Sequence, residues 1–188
     1  MKHGFKAEAE RISTELRAEL NLDSDARLDP RELAEHLAIP IINLTRLSRA
    51  AQGSSFGPYF TDTAPDSFSA VTVFEGYSRF IVHNDTHHPH RQSSNLTHEI
   101  SHTVLEHDPA PVAASDGNRF WDSEIEEEAS WLGAALLVPR EAALQMILTG
   151  CTPEEIAVHF GVSDALCKWR IRQTGILQHV ERMKRWRH

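Results

Sequence analysis

Apolar residues recur along this chain with two periods, and the points where the period changes mark its elements. Ile12, Leu16 and Leu20 stand four apart in the segment 5–20, which predicts an amphipathic helix. After the polar turn N-L-D-S-D-A-R-L, Asp29 as cap and Pro30 at the first helical position start a short helix through Leu33 and Leu37. Residues 39–44 read as a strand with Pro40 at its beginning or on an edge. From 50 to 66 the chain turns to Gly, Ser, Pro and Thr around Phe56, Tyr59 and Phe60, a loop long enough to lie over a site. The β-rich runs 68–74 and 79–84 flank Glu75-Gly76-Tyr77-Ser78 and predict a hairpin.

Helical spacing returns at Leu96, Ile100 and Val104. Ser93, Ser94 and Asn95 are suitable N-caps, and Asp108-Pro109 is the expected stop after His107. A connector at 108–118 leads to a second buried helix through Ile125, Ala129, Leu132 and Leu136, closed by Pro139. A third helix spans 140–149 and ends at Gly150. Thr152-Pro153-Glu154-Glu155 starts a fourth, which stops at Phe160-Gly161, and Ser163 caps a fifth running to Gly175. The tail 176–188 is expected to be helical too. The pattern predicts an α+β fold, mainly helical, with a small antiparallel hairpin before the helix around residues 96–104. One domain over 1–188 is expected, divided into N-terminal helices and loop (1–66), sheet and central helices (67–139) and C-terminal helices (140–188).

A net charge of −8 argues against the whole surface being a nucleic-acid binder, although the charge is uneven. From Lys168 to His188 there are seven Lys/Arg and one acid, Glu181, a stretch read first as a solvated helical end. No apolar run approaches the length that crosses a bilayer, so no membrane partner is expected. M-K-H-G-F-K-A-E-A-E lacks the apolar core of a signal peptide, and the cytoplasm is the expected compartment. Cys151 and Cys167 are too few for a disulfide framework.

The chemistry lies in S-S-N-L-T-H-E-I-S-H-T-V-L-E-H, residues 93–107. His98 and His102 are four apart, so on a helix both project from one face, one turn apart. Two imidazoles so stacked can share a metal ion, with Glu99 beside them as general base, the H-E-x-x-H arrangement of zinc peptidases. In a chain with twelve histidines and many glutamates the bare motif arises by chance about once in fifteen such chains, so a third ligand is needed. His87, His88 and His90 are metal-binding types, but as loop histidines they read more readily as solvent-exposed. The acidic turn Glu124, Glu126, Glu127 and Glu128 lies on a helix that must pack against the central one. Electrostatics does not choose among these acids, and Ser123-x-x-Glu126 also fits a capping box that would occupy Glu126 structurally.

The order R-F-I-V-H-N-D-T-H-H-P-H-R-Q-S-S-N-L-T-H-E-I-S-H-T-V-L-E-H, then E-E-E-A-S-W-L-G-A-A-L-L-V-P, resembles the ImmA/IrrE family of metallopeptidases. There an H-E-x-x-H helix is followed by E-x-x-A-(N/D)-x-(F/L)-A-x-x-L-L-x-P, whose first glutamate completes the metal site. The resemblance implies a zincin-like fold and a metal site of His98, His102 and Glu126, with Glu99 catalytic. It implies zinc as cofactor, with manganese as the alternative. The substrate implied is a protein, a helix-turn-helix repressor encoded nearby, with no direct binding of nucleic acid. Ser130 and Gly133 depart from the pattern, which usually has Asn or Asp and Ala there; Ser130 can still hydrogen-bond a ligand. The competing reading is a DNA-binding or partner-binding regulator without proteolysis. It rests on Ile156-Ala157-x-x-Phe160-Gly161-Val162-Ser163 followed by Lys168, Arg170 and Arg172, which resembles a helix-turn-helix.

Overall fold

Local signals start most of the helices. Asp29 accepts from the Arg31 amide ahead of Pro30, Thr152 and Glu155 form a reciprocal capping box, and the Ser163 hydroxyl accepts from the Leu166 amide. The computed structural model describes residues 1–50, 67–76, 78–107 and 122–185; all of the expected loop at 50–66 but Ala50, which is helical, the connector at 108–118 and the end of the tail at 186–188 lie outside them. In chain order the elements are α1 (Phe5–Glu19), α2 (Pro30–His36), β1 (Ile41–Asn43), α3 (Leu44–Ala50), β2 (Ala70–Glu75), β3 (Ser78–His83), α4 (Pro89–Val104), α5 (Ser123–Leu137), α6 (Arg140–Leu148), α7 (Pro153–Phe160), α8 (Asp164–Gln173) and α9 (Ile176–Arg185). The fold is mainly helical α+β, as the pattern predicts.

The hairpin forms as expected. β2 and β3 pair antiparallel with Thr72 opposite Ile81, and Gly76 takes the positive φ that a tight hairpin turn requires. β1 then adds parallel to β3, Ile41 opposite Ile81, so the sheet is mixed with order β1-β3-β2.

Three boundaries differ from the sequence reading, each for a tertiary or conformational reason. The expected strand stops at Asn43 and α3 begins at Leu44, whose side chain is buried. Asp85, forty residues away, accepts from the Thr45 amide at 3.0 Å, a cap no local pattern announces. α4 starts at Pro89, four residues before Ser93, with the His88 ring accepting from the His90 amide, so Ser93 to Asn95 are interior. It ends at Val104 rather than after His107, because Glu106 adopts a left-handed conformation (φ 52°) and the His107 amide turns back to His102 O.

The core is one apolar cluster that joins α1, α2, the sheet and the helices from α4 onward. α5 is its axis: from Glu128 to Leu137 only Ser130 escapes burial, which is the pattern of a helix packed on all sides. α4 packs against α5 on one side and the sheet on the other. The two helices come close enough at Gly133 that a Cβ there would stand 3.2 Å from His98 N and from Thr97 C. Among the described residues no single helix is long and apolar enough to cross a membrane.

Candidate metal centre

Helical spacing brings His98 and His102 together on α4 with ring centroids 4.8 Å apart and their Nε2 atoms at 3.1 Å. Glu126 reaches them from the first turn of α5. Its Oε2 lies 3.1 Å from His98 Nε2 and its Oε1 3.7 Å from His102 Nε2. Asp122, not Ser123, caps α5, accepting from the Glu124 amide at 3.0 Å; the Ser123–Glu126 capping box is not formed and the Glu126 carboxylate is turned to the histidines. The three donor atoms lie within 4.8 Å of one another, and no other trio of His, Cys, Asp or Glu converges in this way among the described residues. His88 instead caps α4, and His87 is buried beside Asn84.

The donor set fits a divalent ion. Ligand bonds of about 2.0–2.2 Å in a tetrahedral site put donors about 3.4 Å apart; the two Nε2 atoms stand at 3.1 Å, and each has one Glu126 oxygen near that distance, Oε2 at 3.1 Å from His98 and Oε1 at 3.7 Å from His102. Two neutral imidazoles and a carboxylate are the ligand types of an open, catalytic zinc site. Burial, reinforced by neighbouring His98 and His107, lowers His102 to about 4, which keeps its lone pair available at neutral pH.

Glu99 leaves the helix toward the sheet, where the Thr72 hydroxyl on β2 donates to its Oε2 at 2.7 Å. Burial raises the Glu99 carboxyl above the usual carboxylate range, with the Thr72 hydrogen bond and His98 opposing. A base shifted upward holds a proton more firmly, which suits a group that must accept one and pass it on.

Around this centre stands a layer of polar side chains that includes residues the sequence reading did not single out. Ser130 does approach His98, Oγ to Nδ1 at 3.3 Å, the expected contact at its weak limit. His107 Nδ1 lies 3.0 Å from His102 Nδ1, and Glu128 Oε2 lies 3.6 Å from His107 Nε2. Glu128 was one of four interchangeable acids by charge. Its place three and four residues before Trp131 and Leu132, on the buried side of α5, is the signal that separates it from Glu127. For Thr72 no signal in the sequence existed, since the pairing of β2 with α4 is tertiary.

The family model for the IrrE N-terminal-like domain, a peptidase family, matches residues 54–171, well over half of the chain. The chain belongs to that family. No curated protein matches it. The match to the IrrE N-terminal-like domain runs from before β2 to within α8 and so contains both histidines, Glu99 and Glu126. It bears out the ImmA/IrrE resemblance and a metallopeptidase-type function. α1, α2 and β1 lie outside the matched span, yet α1 packs directly on α5.

Two cations of the basic segment are held within the chain. Arg170 is fully buried, donating through Nε to Val138 O at 3.1 Å and pairing with Glu10, and Lys168 pairs with Glu154 at 2.6 Å. Two of the three cations expected on a DNA-reading helix are therefore engaged within the chain.

Proposed function

We propose that this chain is a metal-dependent endopeptidase, acting in the cytoplasm, in which His98, His102 and Glu126 hold zinc, or manganese in its stead, and Glu99 is the general base. The observation that carries the reading is the convergence of those three donors in a chain whose family is one of peptidases. An ion bound there would supply Lewis-acid chemistry, acidifying a water and polarising the scissile carbonyl. Glu99, held by Thr72 through one oxygen, takes the proton of the attacking water with the other and delivers it to the departing amine. The substrate is a protein, and by the resemblance a helix-turn-helix repressor encoded beside this chain.

The test separates metal from base. Protein purified without added metal should hold about one divalent ion per chain by elemental analysis, most of it zinc. Glu99→Gln keeps the side chain's size and should keep that ion. Its cleavage of the neighbouring repressor, followed by mass spectrometry, should fall at least about a hundredfold. Undiminished cutting by fully metallated Glu99→Gln would sink the mechanism. Salt-sensitive binding to DNA without cleavage would favour the regulator instead.

A further inference from the structure

His102 has a second ring nitrogen, and what it meets is unusual. Its Nδ1 faces not a carboxylate or a carbonyl but Nδ1 of His107, at 3.0 Å, with the ring centroids 5.1 Å apart. Behind His107, Glu128 is 3% exposed and stands 3.6 Å from His107 Nε2, an electrostatic contact longer than a hydrogen bond. The other Glu128 oxygen is fixed by the Lys2 amide at 2.9 Å.

With both rings neutral and the Glu128 carboxyl ionised, proton counting in this row has one consistent solution. A neutral imidazole carries a single N–H, so a close Nδ1–Nδ1 contact needs one ring to donate and the other to accept. If His107 donated, its Nε2 lone pair would point at the Glu128 carboxylate, which has only lone pairs to offer. If His102 donates, His107 carries its proton on Nε2, facing the negative charge, and His102 Nε2 is left bare toward His98 and Glu126. The buried carboxylate selects the second arrangement.

We infer that Glu128 and His107 are positioning residues that set the tautomer of His102, holding its proton on Nδ1 so that Nε2 is free for a metal ion. The inference rests on His102 being a ligand in the proposed site. It extends the usual carboxylate–histidine–metal pattern by one imidazole, with the carboxylate supplied by the same helix that supplies Glu126.

The experiment uses the full chain loaded with zinc. Nitrogen-15 NMR of the histidine rings should find His107 neutral with its proton on Nε2, and a His102 Nδ1 proton protected from exchange. Competition with a chromophoric chelator should show zinc affinity reduced about 10- to 100-fold in Glu128→Gln and in His107→Gln, and unchanged in Glu127→Gln. Glu128→Gln keeps an acceptor for the Lys2 amide; should it not fold, the wild-type tautomers and His107→Gln decide alone. Wild-type zinc affinity in both variants, or a His107 proton on Nδ1, would overturn the relay while leaving the metal site standing. A wild type that binds no zinc would overturn the metal site and the relay with it.

Discussion

Glu126 and Glu127 are neighbours on one turn of α5 and chemically identical, yet one carboxylate meets two imidazoles and the other lies in solvent beside the Met1 ammonium. Glu126→Ala should therefore lower zinc affinity by orders of magnitude, while Glu127→Ala leaves it unchanged; equal affinities in a chelator competition would remove Glu126 from the site. A second single-residue effect concerns pH. His83, buried at the end of β3, accepts from Arg31 at 2.9 Å and lies 3.0 Å from Asn43 Oδ1. Burial, with the Arg31 charge adding to it and Asp85 opposing, lowers it to about 4 from an ordinary 6.5. Below 6.5 the unfolded chain binds a proton that the folded chain refuses until about 4, so stability falls as pH falls through that window. Between pH 7 and 5 this costs about 2 kcal/mol. Urea unfolding at the two pH values should show that His83→Gln loses about that much less than the wild type. An identical loss in both proteins would mean that His83 titrates normally.

At the scale of elements, the site depends on how closely α4 and α5 approach. Gly133 sits where the family pattern usually has Ala, and the backbone of Thr97 and His98 occupies the space a methyl would need. In an exposed helix Gly→Ala gains about 1 kcal/mol. Here the methyl must push α4 back at His98, so Gly133→Ala should show little or none of that gain and, on the proposed site, bind zinc several-fold more weakly. Thermal unfolding and chelator competition measure the two parts. A full gain with unaltered affinity would mean that the helices can separate freely. Pro89 and the His88 cap start the helix well ahead of His98, so His98 lies in its interior, whereas His102 stands in its last turn, where the His107 amide turns back to His102 O.

Across the whole molecule, the buried Arg170 ties the C-terminal helices to the first one. Its guanidinium pairs with Glu10 on α1, packs over Trp131 of α5 and donates to Val138 O. Glu10 also accepts from the Arg140 amide at 3.2 Å. Removing the carboxylate leaves a cation in the core, so Glu10→Ala should cost about 3 kcal/mol, the lower end for a broken buried pair because Glu10 is partly exposed. Denaturant titration checks this, and a cost under about 1 kcal/mol would show that Arg170 finds other partners. Arg170→Met should cost less, since it removes the charge rather than stranding it.

Features that depend on neighbours along the chain are legible in the residues alone. Residues spaced at helical intervals, with Asp29-Pro30, Thr152-x-x-Glu155, Ser163 and Gly161 at the ends, mark α1, α2 and α5 to α8, and helical geometry alone stacks His98 over His102. The ImmA/IrrE motifs carried the reading further, to Glu126. Tertiary structure decided what depends on residues distant in sequence. The cap of α3 comes from Asp85, the partner of Glu99 comes from β2, and β1 joins the sheet in parallel only because β3 lies beside it. The roles of the four acids on α5 were likewise decided in space. Charge is the same for all four, and the packing of α5 against α4 and α1 is what buries Glu128, turns Glu126 to the histidines and leaves Glu127 in water.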